Sequence, residues 1–172
     1  NRLPIFMYKA APIQVTWLGY NASTGLSEID YIIGDPYVTP LSSQENFSEK
    51  IFNLPEILQS YCIPTFKLSI KPNAYQKNNY VTFGSFNNLS KINDDVIKLW
   101  SKILLSVKDS KLFLKAKQLD SELTRKNIVQ KFQQYNINSN RLILEGRSKT
   151  QKELFEKYNE IDIALDPFPY PG

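Results

Sequence analysis

Three loops of this chain carry side chains suited to gripping an anion. The first is Phe83-Gly-Ser-Phe-Asn-Asn-Leu-Ser-Lys-Ile92, in which Asn87, Asn88 and Lys91 follow an apolar run (Tyr80, Val81, Phe83) and precede an amphipathic pattern opening at Asn93. An ammonium held at such a point is a compact charge matched to a phosphate oxygen. The second loop offers Lys115 and Lys117; the third offers Gly146, Arg147, Ser148, Lys149 and Thr150. A fourth turn, Asp166-Pro167, carries a carboxylate. Each of these residues also has a plainer use: lysines flanking a strand are commonly solvated, asparagines form turns, and an aspartate before proline is a turn residue. Asp94 and Asp95 occupy the positive end of the helix that follows Lys91, so a phosphate there depends on the lysine and on loop amides.

The elements that must position these loops read as alternating strands and helices from residue 78 onward. Strands are expected at Tyr80–Phe83, Lys111–Ala116, Arg141–Glu145 and Ile161–Asp166. Between them, Val96, Leu99, Trp100, Ile103 and Leu104 recur at helical spacing behind an Asn93 cap. A second helix is expected over about 121–135, with Leu123, Ile128, Phe132 and Tyr135 near one face. A third opens on the capping box Thr150-x-x-Glu153 and is expected to bury Leu154, Phe155 and Tyr158. Short strands joined by crossover helices imply an α/β fold, a parallel sheet with helices on both faces. Loops at the carboxyl edge of such a sheet are where ligands bind. Composition and pattern alone stop at an α/β ligand-binding region that suits an anionic ligand.

Residues 1–77 have a different texture, holding seven of the ten prolines. Ile13–Leu18 reads as a buried strand, Asp30–Ile33 as a second, Pro40–Asn46 as a loop, Phe47–Leu54 as ambiguous and Pro64–Lys77 as a linker. Both tryptophans, Trp17 and Trp100, are expected in the core. The chain begins at Asn1 and stops in a loop-like Pro-Tyr-Pro-Gly, so a fragment of a longer protein is expected.

Composition excludes several chemistries. The net charge of +4 comes from 21 basic and 17 acidic residues with no basic block, which argues against a nucleic-acid face. With no histidine and a single cysteine, Cys62, an imidazole-based triad, a Cys/His metal site and an internal disulfide are absent from these 172 residues. No stretch is apolar over the length needed to span a bilayer, and a cytoplasmic location is expected. The glycine patterns of a dinucleotide fingerprint or a P-loop are missing, which argues against a dehydrogenase or a simple nucleoside triphosphatase.

Three motifs carry a resemblance: Ala11-Pro-Ile-Gln-Val-Thr-Trp-Leu-Gly-Tyr20, the stretch from Phe83 to Ile92, and Glu160-Ile-Asp-Ile-Ala-Leu-Asp-Pro-Phe-Pro-Tyr170. In order and spacing the chain resembles the catalytic region of the O-GlcNAc transferase/SPINDLY family, most closely its bacterial members. The resemblance implies a two-lobed glycosyltransferase of two Rossmann-like halves. Residues 1–77 would end the first lobe with its connector, and 78–172 would begin the second, nucleotide-binding lobe. It further implies a metal-free transfer from a nucleotide diphosphate sugar, commonly UDP-GlcNAc, to serine or threonine of a protein or peptide acceptor. Tetratricopeptide repeats would lie upstream, and neither nucleic acid nor membrane would be a partner.

Carried over by position, Lys91 matches the lysine on the donor diphosphate and Asn88 an amide on the same phosphates. Leu18, Gly19 and the following loop with Asn21 match the segment near the donor sugar. Ser148, Lys149, Thr150 and Gln151 match the loop around the base. The chain departs from the family at Asn21-Ala22, where many members have Pro-Gly, and at Leu154, where a histidine is usual. A GDP-fucose or UDP-glucose donor with another acceptor therefore stays open (a protein fucosyl- or N-glucosyltransferase), as does a binding module without turnover. The isolated piece is expected to be inactive.

Overall fold

The computed structural model describes residues 2–171; Asn1 and Gly172 lie outside the described residues. The chain divides into two compact units, one ending at Pro64 and the next starting at Thr65. Residues 65–78, the stretch read as a connector, pack with the second unit. The Asn159 side chain accepts from Lys71 N at 3.1 Å and donates to Ser69 O at 3.2 Å. Asp162 accepts from Tyr75 N and Thr82 N, both at 2.8 Å. The expected linker thus contains a short helix, α1 (Ala74–Asn78), capped by the Asn73 side chain.

In the first unit, β1 (Val15–Thr16), β2 (Tyr31–Gly34) and β3 (Lys50–Asn53) form a parallel sheet in that order. Ile32 and Ile51, paired across β2 and β3, are buried, as are Ile29 and Leu58. The ambiguous stretch at Phe47–Leu54 is therefore a strand, and Leu41–Asn46 is a 3₁₀ turn rather than an open loop. The expected buried strand at Ile13–Leu18 is corrected. Only two residues pair, and Ile13, Trp17 and Leu18 are exposed, Trp17 by 57%. As an edge strand β1 has one neighbour, and the chain turns away at once, with Gly19 N bonded to Trp17 O and Leu18 at φ 65°.

Carboxylates tie down this unit. Asp30 bonds Lys9 and the Gln14 amide, and these bonds hold its carboxyl below the ordinary value. Asp35, buried, accepts from the amides of Val38, Leu58 and Tyr37, which lower its pKa in the same way.

The second unit is a four-stranded parallel sheet built from β4 (Thr82–Ser85), β5 (Lys111–Lys115), β6 (Leu142–Glu145) and β7 (Ile163–Ala164), in the order β6-β5-β4-β7. The crossovers are α2 (Asp94–Ser106), α3 (Glu122–Gln133) and α4 (Gln151–Glu156). Right-handed connections from β4 outward to β6 place α2 and α3 on one face, and the return to β7 places α4 on the other. On the first face Val96, Ile97, Trp100 and Leu104 of α2 and Ile128 and Phe132 of α3 join Phe83, Leu112 and Leu114 in one core. Helices thus cover both faces, as the strand–helix alternation requires.

Local signals set the ends. The Asn93 side chain accepts from Val96 N at 2.9 Å, and Ser121 and Thr150 cap α3 and α4 in the same manner. Arg141 donates to Leu104 O and Val107 O, satisfying carbonyls at the carboxyl end of α2. Strand β4 starts and ends two residues later than expected, so Gly84 belongs to the strand and not to the turn. A Cβ there would lie 2.4 Å from Ile161 Cγ2, which only glycine avoids. Of the three residues expected to be buried by the third helix, Leu154 and Phe155 are half-buried and Tyr158 is exposed, as are Leu99 and Leu123, because α4 is short and α2 and α3 each bury a single face.

Linkage gives the sign of the acid response of the first unit. Depressed carboxyl pKa values mean that the folded state binds fewer protons, so the stabilisation is full above the ordinary carboxylate values and is lost as pH falls through and below them. Acidification from pH 6 to pH 3 is expected to lower amide protection around Asp35, with loss setting in near the ordinary Asp value of 3.8. Asp35→Asn should remove most of that pH dependence, because a carboxamide does not titrate between pH 3 and pH 6. An unchanged acid profile in the variant would assign the effect elsewhere.

Candidate functional site

The strand order reverses at β4: the chain builds outward through β5 and β6, then returns to place β7 on the other side of β4. A crevice at the carboxyl end of such a switch point is the usual ligand site of an open parallel sheet. The loops after β4 and β7 meet there. Asn87 Nδ2 donates to Asp166 Oδ1 at 2.8 Å, and Asn93 Nδ2 to Phe168 O at 3.4 Å. Lys91, half-buried at the end of a 3₁₀ turn (Leu89–Lys91), donates from Nζ to Pro171 O at 2.9 Å. Among the described residues no carboxylate pairs with this ammonium, so its charge is left for an anion. Asn88 Oδ1 accepts from Ser90 N at 3.1 Å and from Gln118 Nε2, joining the loop after β4 to the one after β5.

The loop after β6 forms the second half of the site. Ser148, Lys149, Thr150 and Gln151 line a cavity of about 360 Å³ together with Phe86 and Leu154. Two residues fix this loop. Lys115 Nζ donates to Gly146 O at 2.8 Å and lies 3.5 Å from Glu145 Oε1; Asp120 Oδ1 accepts from Arg147 N at 2.9 Å. Lys115 is 3% exposed, which corrects the reading of it as a solvated strand-end lysine. Alternation along β5 sends Lys111, Phe113 and Lys115 to the α4 face, where Glu145 and a carbonyl satisfy the buried ammonium. Lys117 is exposed, as expected.

Phe86 separates this cavity from a neighbouring one of about 320 Å³ lined by Ser85, Asn87, Tyr158 and Asp166. Its ring packs 4.5 Å from Tyr158 and 5.3 Å from Phe113. The Ser85 hydroxyl in that wall is buried without a partner. Burial, and then the Asp166 charge, push the Tyr158 phenol above its ordinary value, so it stays a neutral donor. Burial works against the Lys157 ammonium, but its bonds to Glu160 and Glu145 outweigh that and raise its pKa.

The capping box of α4 is formed with a shift. Thr150 Oγ1 accepts from Glu153 N, while Glu153 reaches back to Lys149 N at 2.9 Å rather than to the cap residue. The amides of this loop are thereby partly committed, and Ser148 and Gln151 carry the freer polar groups. Leu18, Gly19 and Asn21 belong to the first unit, where all three are exposed after β1. Among the described residues no group of three or more Cys, Asp or Glu side chains is placed to hold a metal.

Comparison with known proteins places the chain. The family model described as glycosyl transferase family 41 matches residues 1–63. The probable UDP-N-acetylglucosamine--peptide N-acetylglucosaminyltransferase SPINDLY of Eustoma exaltatum subsp. russellianum is 36% identical over 172 residues, 100% of this chain and 19% of that protein. The protein of the same name from Arabidopsis thaliana is 34% identical over the same 172 residues, again 19% of its length. A solved structure of a mutant O-GlcNAc transferase from Thermobaculum terrenum superposes with a TM-score of 0.79 at 32% identity, covering 99% of this chain and 32% of that one. The chain belongs to the O-GlcNAc transferase/SPINDLY family. It spans about a fifth of the length of the plant relatives it matches.

Within this family's fold, sequence reasoning found the loops but missed the residues that hold them. Asp120 carried no motif, and Phe86 lay within the Phe83–Ile92 motif without a role of its own. Lys115 was legible only as a basic residue in register with the inward-facing Phe113. Gly146 was read as part of a polar loop, yet a Cβ there would lie 1.9 Å from Asp120 Oδ1. Gly146→Ala should therefore expel the Asp120 carboxylate from the Arg147 amide. Losing that bond costs about 1 kcal/mol, which should speed hydrogen exchange at Arg147 roughly fivefold. Exchange at the wild-type rate would show that the loop is held by other contacts.

Proposed function

We propose that this chain is part of a protein glycosyltransferase that moves a sugar from a nucleotide diphosphate donor, UDP-GlcNAc, to serine or threonine hydroxyls. The observation that carries this reading is the Lys91 ammonium, which pairs with no carboxylate among the described residues, at the switch-point crevice of a family 41 relative. The relatives' names state a UDP-N-acetylglucosamine donor and a peptide acceptor for those proteins.

Lys91 would bind the diphosphate and oppose the charge that develops on it as the glycosidic bond breaks; a fixed cation is more effective there than in water. Asn88, oriented by Gln118, would present its side-chain amide to the same phosphates. The base would enter the cavity of Ser148–Gln151, against Phe86 and Leu154, and Leu18, Gly19 and Asn21 would approach the sugar. No residue of this stretch is assigned as the base that activates the acceptor. No metal is assigned a role either.

Lys91→Met in the full-length protein is expected to lower kcat by about a hundredfold to a thousandfold, the usual cost of one such electrostatic donor, without changing the unfolding temperature. Full turnover by the variant would remove Lys91 from the mechanism.

A second reading keeps the reaction and exchanges the donor for GDP-fucose or UDP-glucose. It is favoured by Leu154, an aliphatic wall of the base cavity where a histidine is usual, and by Asn21 beside the sugar segment. Thermal unfolding of the full-length protein with each nucleotide sugar separates the two, because the cognate donor at a hundred times its Kd stabilises by about 2.7 kcal/mol. The larger shift is expected with UDP-GlcNAc. A shift confined to GDP-fucose or UDP-glucose would replace the donor and leave the site in place.

A further inference from the structure

The first unit contains a carboxylate that the site described above does not use. Glu49 is fully buried just before β3, and among the described residues no cation pairs with it. Its oxygens accept from Thr24 N at 2.7 Å, from the Thr24 hydroxyl, from Ser23 Oγ at 2.8 Å and from Ser48 Oγ at 3.2 Å. Burying such a group is costly unless its lone pairs are bonded, and here the bonds come chiefly from the loop that follows β1. They also outweigh burial and hold its pKa below the ordinary value. The anchor is itself fixed: Gln44 donates to Glu49 O at 2.8 Å and accepts from Ile51 N at 2.9 Å.

The loop it holds has a bonded base and an exposed tip. Gly25 N and Leu26 N donate to the Ser23 and Thr24 hydroxyls, and Gly25 takes a φ of +72° that suits glycine. Gly19, Tyr20 and Asn21 are exposed. We propose that Glu49 is a positioning residue: by clamping Ser23 and Thr24 it fixes the loop after β1, whose Leu18–Asn21 tip the proposed reading assigns to the donor sugar. The inference rests on the nucleotide-sugar reading given above. It requires the hydrogen-bond acceptor and not the charge. A glutamine keeps one oxygen for the Thr24 amide and hydroxyl, and its NH2 can donate to the Ser23 and Ser48 hydroxyls, which then accept.

The experiment compares Glu49→Ala and Glu49→Gln in the full-length protein, using UDP-GlcNAc and UDP as probes. In Glu49→Ala, hydrogen exchange at Thr24 and Leu26 should rise about tenfold or more, because several buried hydrogen bonds are lost. The KM for UDP-GlcNAc should rise by a similar factor while inhibition by UDP, which lacks the sugar, stays at the wild-type value. Glu49→Gln should restore both readouts. Should Glu49→Ala fail to fold, Thr24→Val removes one clamp from the loop side and is expected to raise exchange and KM in the same direction. Wild-type exchange in Glu49→Ala, or an equal loss of UDP inhibition, would overturn the positioning role. If the wild-type protein turns over no nucleotide sugar, the donor reading fails by itself, and the exchange comparison still decides whether Glu49 holds the loop.

Discussion

The reversal of strand order at β4 is the constraint on which the second unit depends. Because β5 and β6 extend to one side and β7 returns to the other, the loops that follow β4 and β7 leave adjacent strand ends. The crevice between them is bridged by polar contacts: Asn87 to Asp166, Asn93 to Phe168 and Lys91 to Pro171. The same reversal distributes the helices. Two outward crossovers place α2 and α3 over Phe83, Leu112 and Leu114, and the return crossover leaves the opposite face to α4 and the Phe113–Phe86–Tyr158 rings. That face has only a short helix over it, so cavities remain beside Phe86 where the first face is solid.

Buried charge in this unit serves loop geometry more than stability. Lys115 lies under the loop after β6 and spends its ammonium on a backbone carbonyl and on Glu145, which Lys157 also approaches at 3.1 Å. Burying the ammonium of such a pair costs desolvation that offsets much of its attraction to the half-exposed Glu145. A methionine at position 115 would cover the same surface but could not hold the Gly146 carbonyl. In the first unit the carboxylates play the corresponding part, Asp35 gathering three amides and Glu49 a loop. In both units, groups that look like candidates for catalysis are occupied in holding backbone, whereas Lys91 contacts a single carbonyl among the described residues.

Much of the second unit was legible in the sequence, and the reasons are physical. Its four strands are short apolar runs between helices whose caps, Asn93, Ser121 and Thr150, all form the bonds their types imply. Errors were of two kinds. Boundaries moved where a close contact outweighed local preference, as at Gly84, which continues β4 because Ile161 fills the space a side chain would need. Burial was misjudged where pattern does not reveal coverage. Ile13 to Leu18 reads as a core strand, yet only Val15 and Thr16 pair, and Trp17 is exposed while Trp100, on a helix between sheet and neighbour, is 2% exposed. The first unit was the less legible because its strands are two to four residues long and its cohesion comes from side-chain–backbone bonds across long separations.

The candidate site divides along the same line. Residues whose role is to carry charge or a hydroxyl outward, such as Lys91, Asn88 and Ser148, announce themselves by type and by position after a strand. Residues that hold them in place do not, since Gln118, Asp120 and Lys115 are ordinary surface types until the fold brings them under the loops. On the proposed reading this division bears on specificity. A phosphate contact made by Lys91 is indifferent to the base and sugar attached to that phosphate, so donor identity must come from the cavity after β6 and from the loop after β1. The first carries Leu154 and the second Asn21-Ala22, and both loops rest on buried anchors, Lys115 and Glu49, rather than on the residues that would touch the donor. Donor preference can then shift by exchange of a few exposed tip residues while Lys115, Asp120 and Glu49 keep the loops in place.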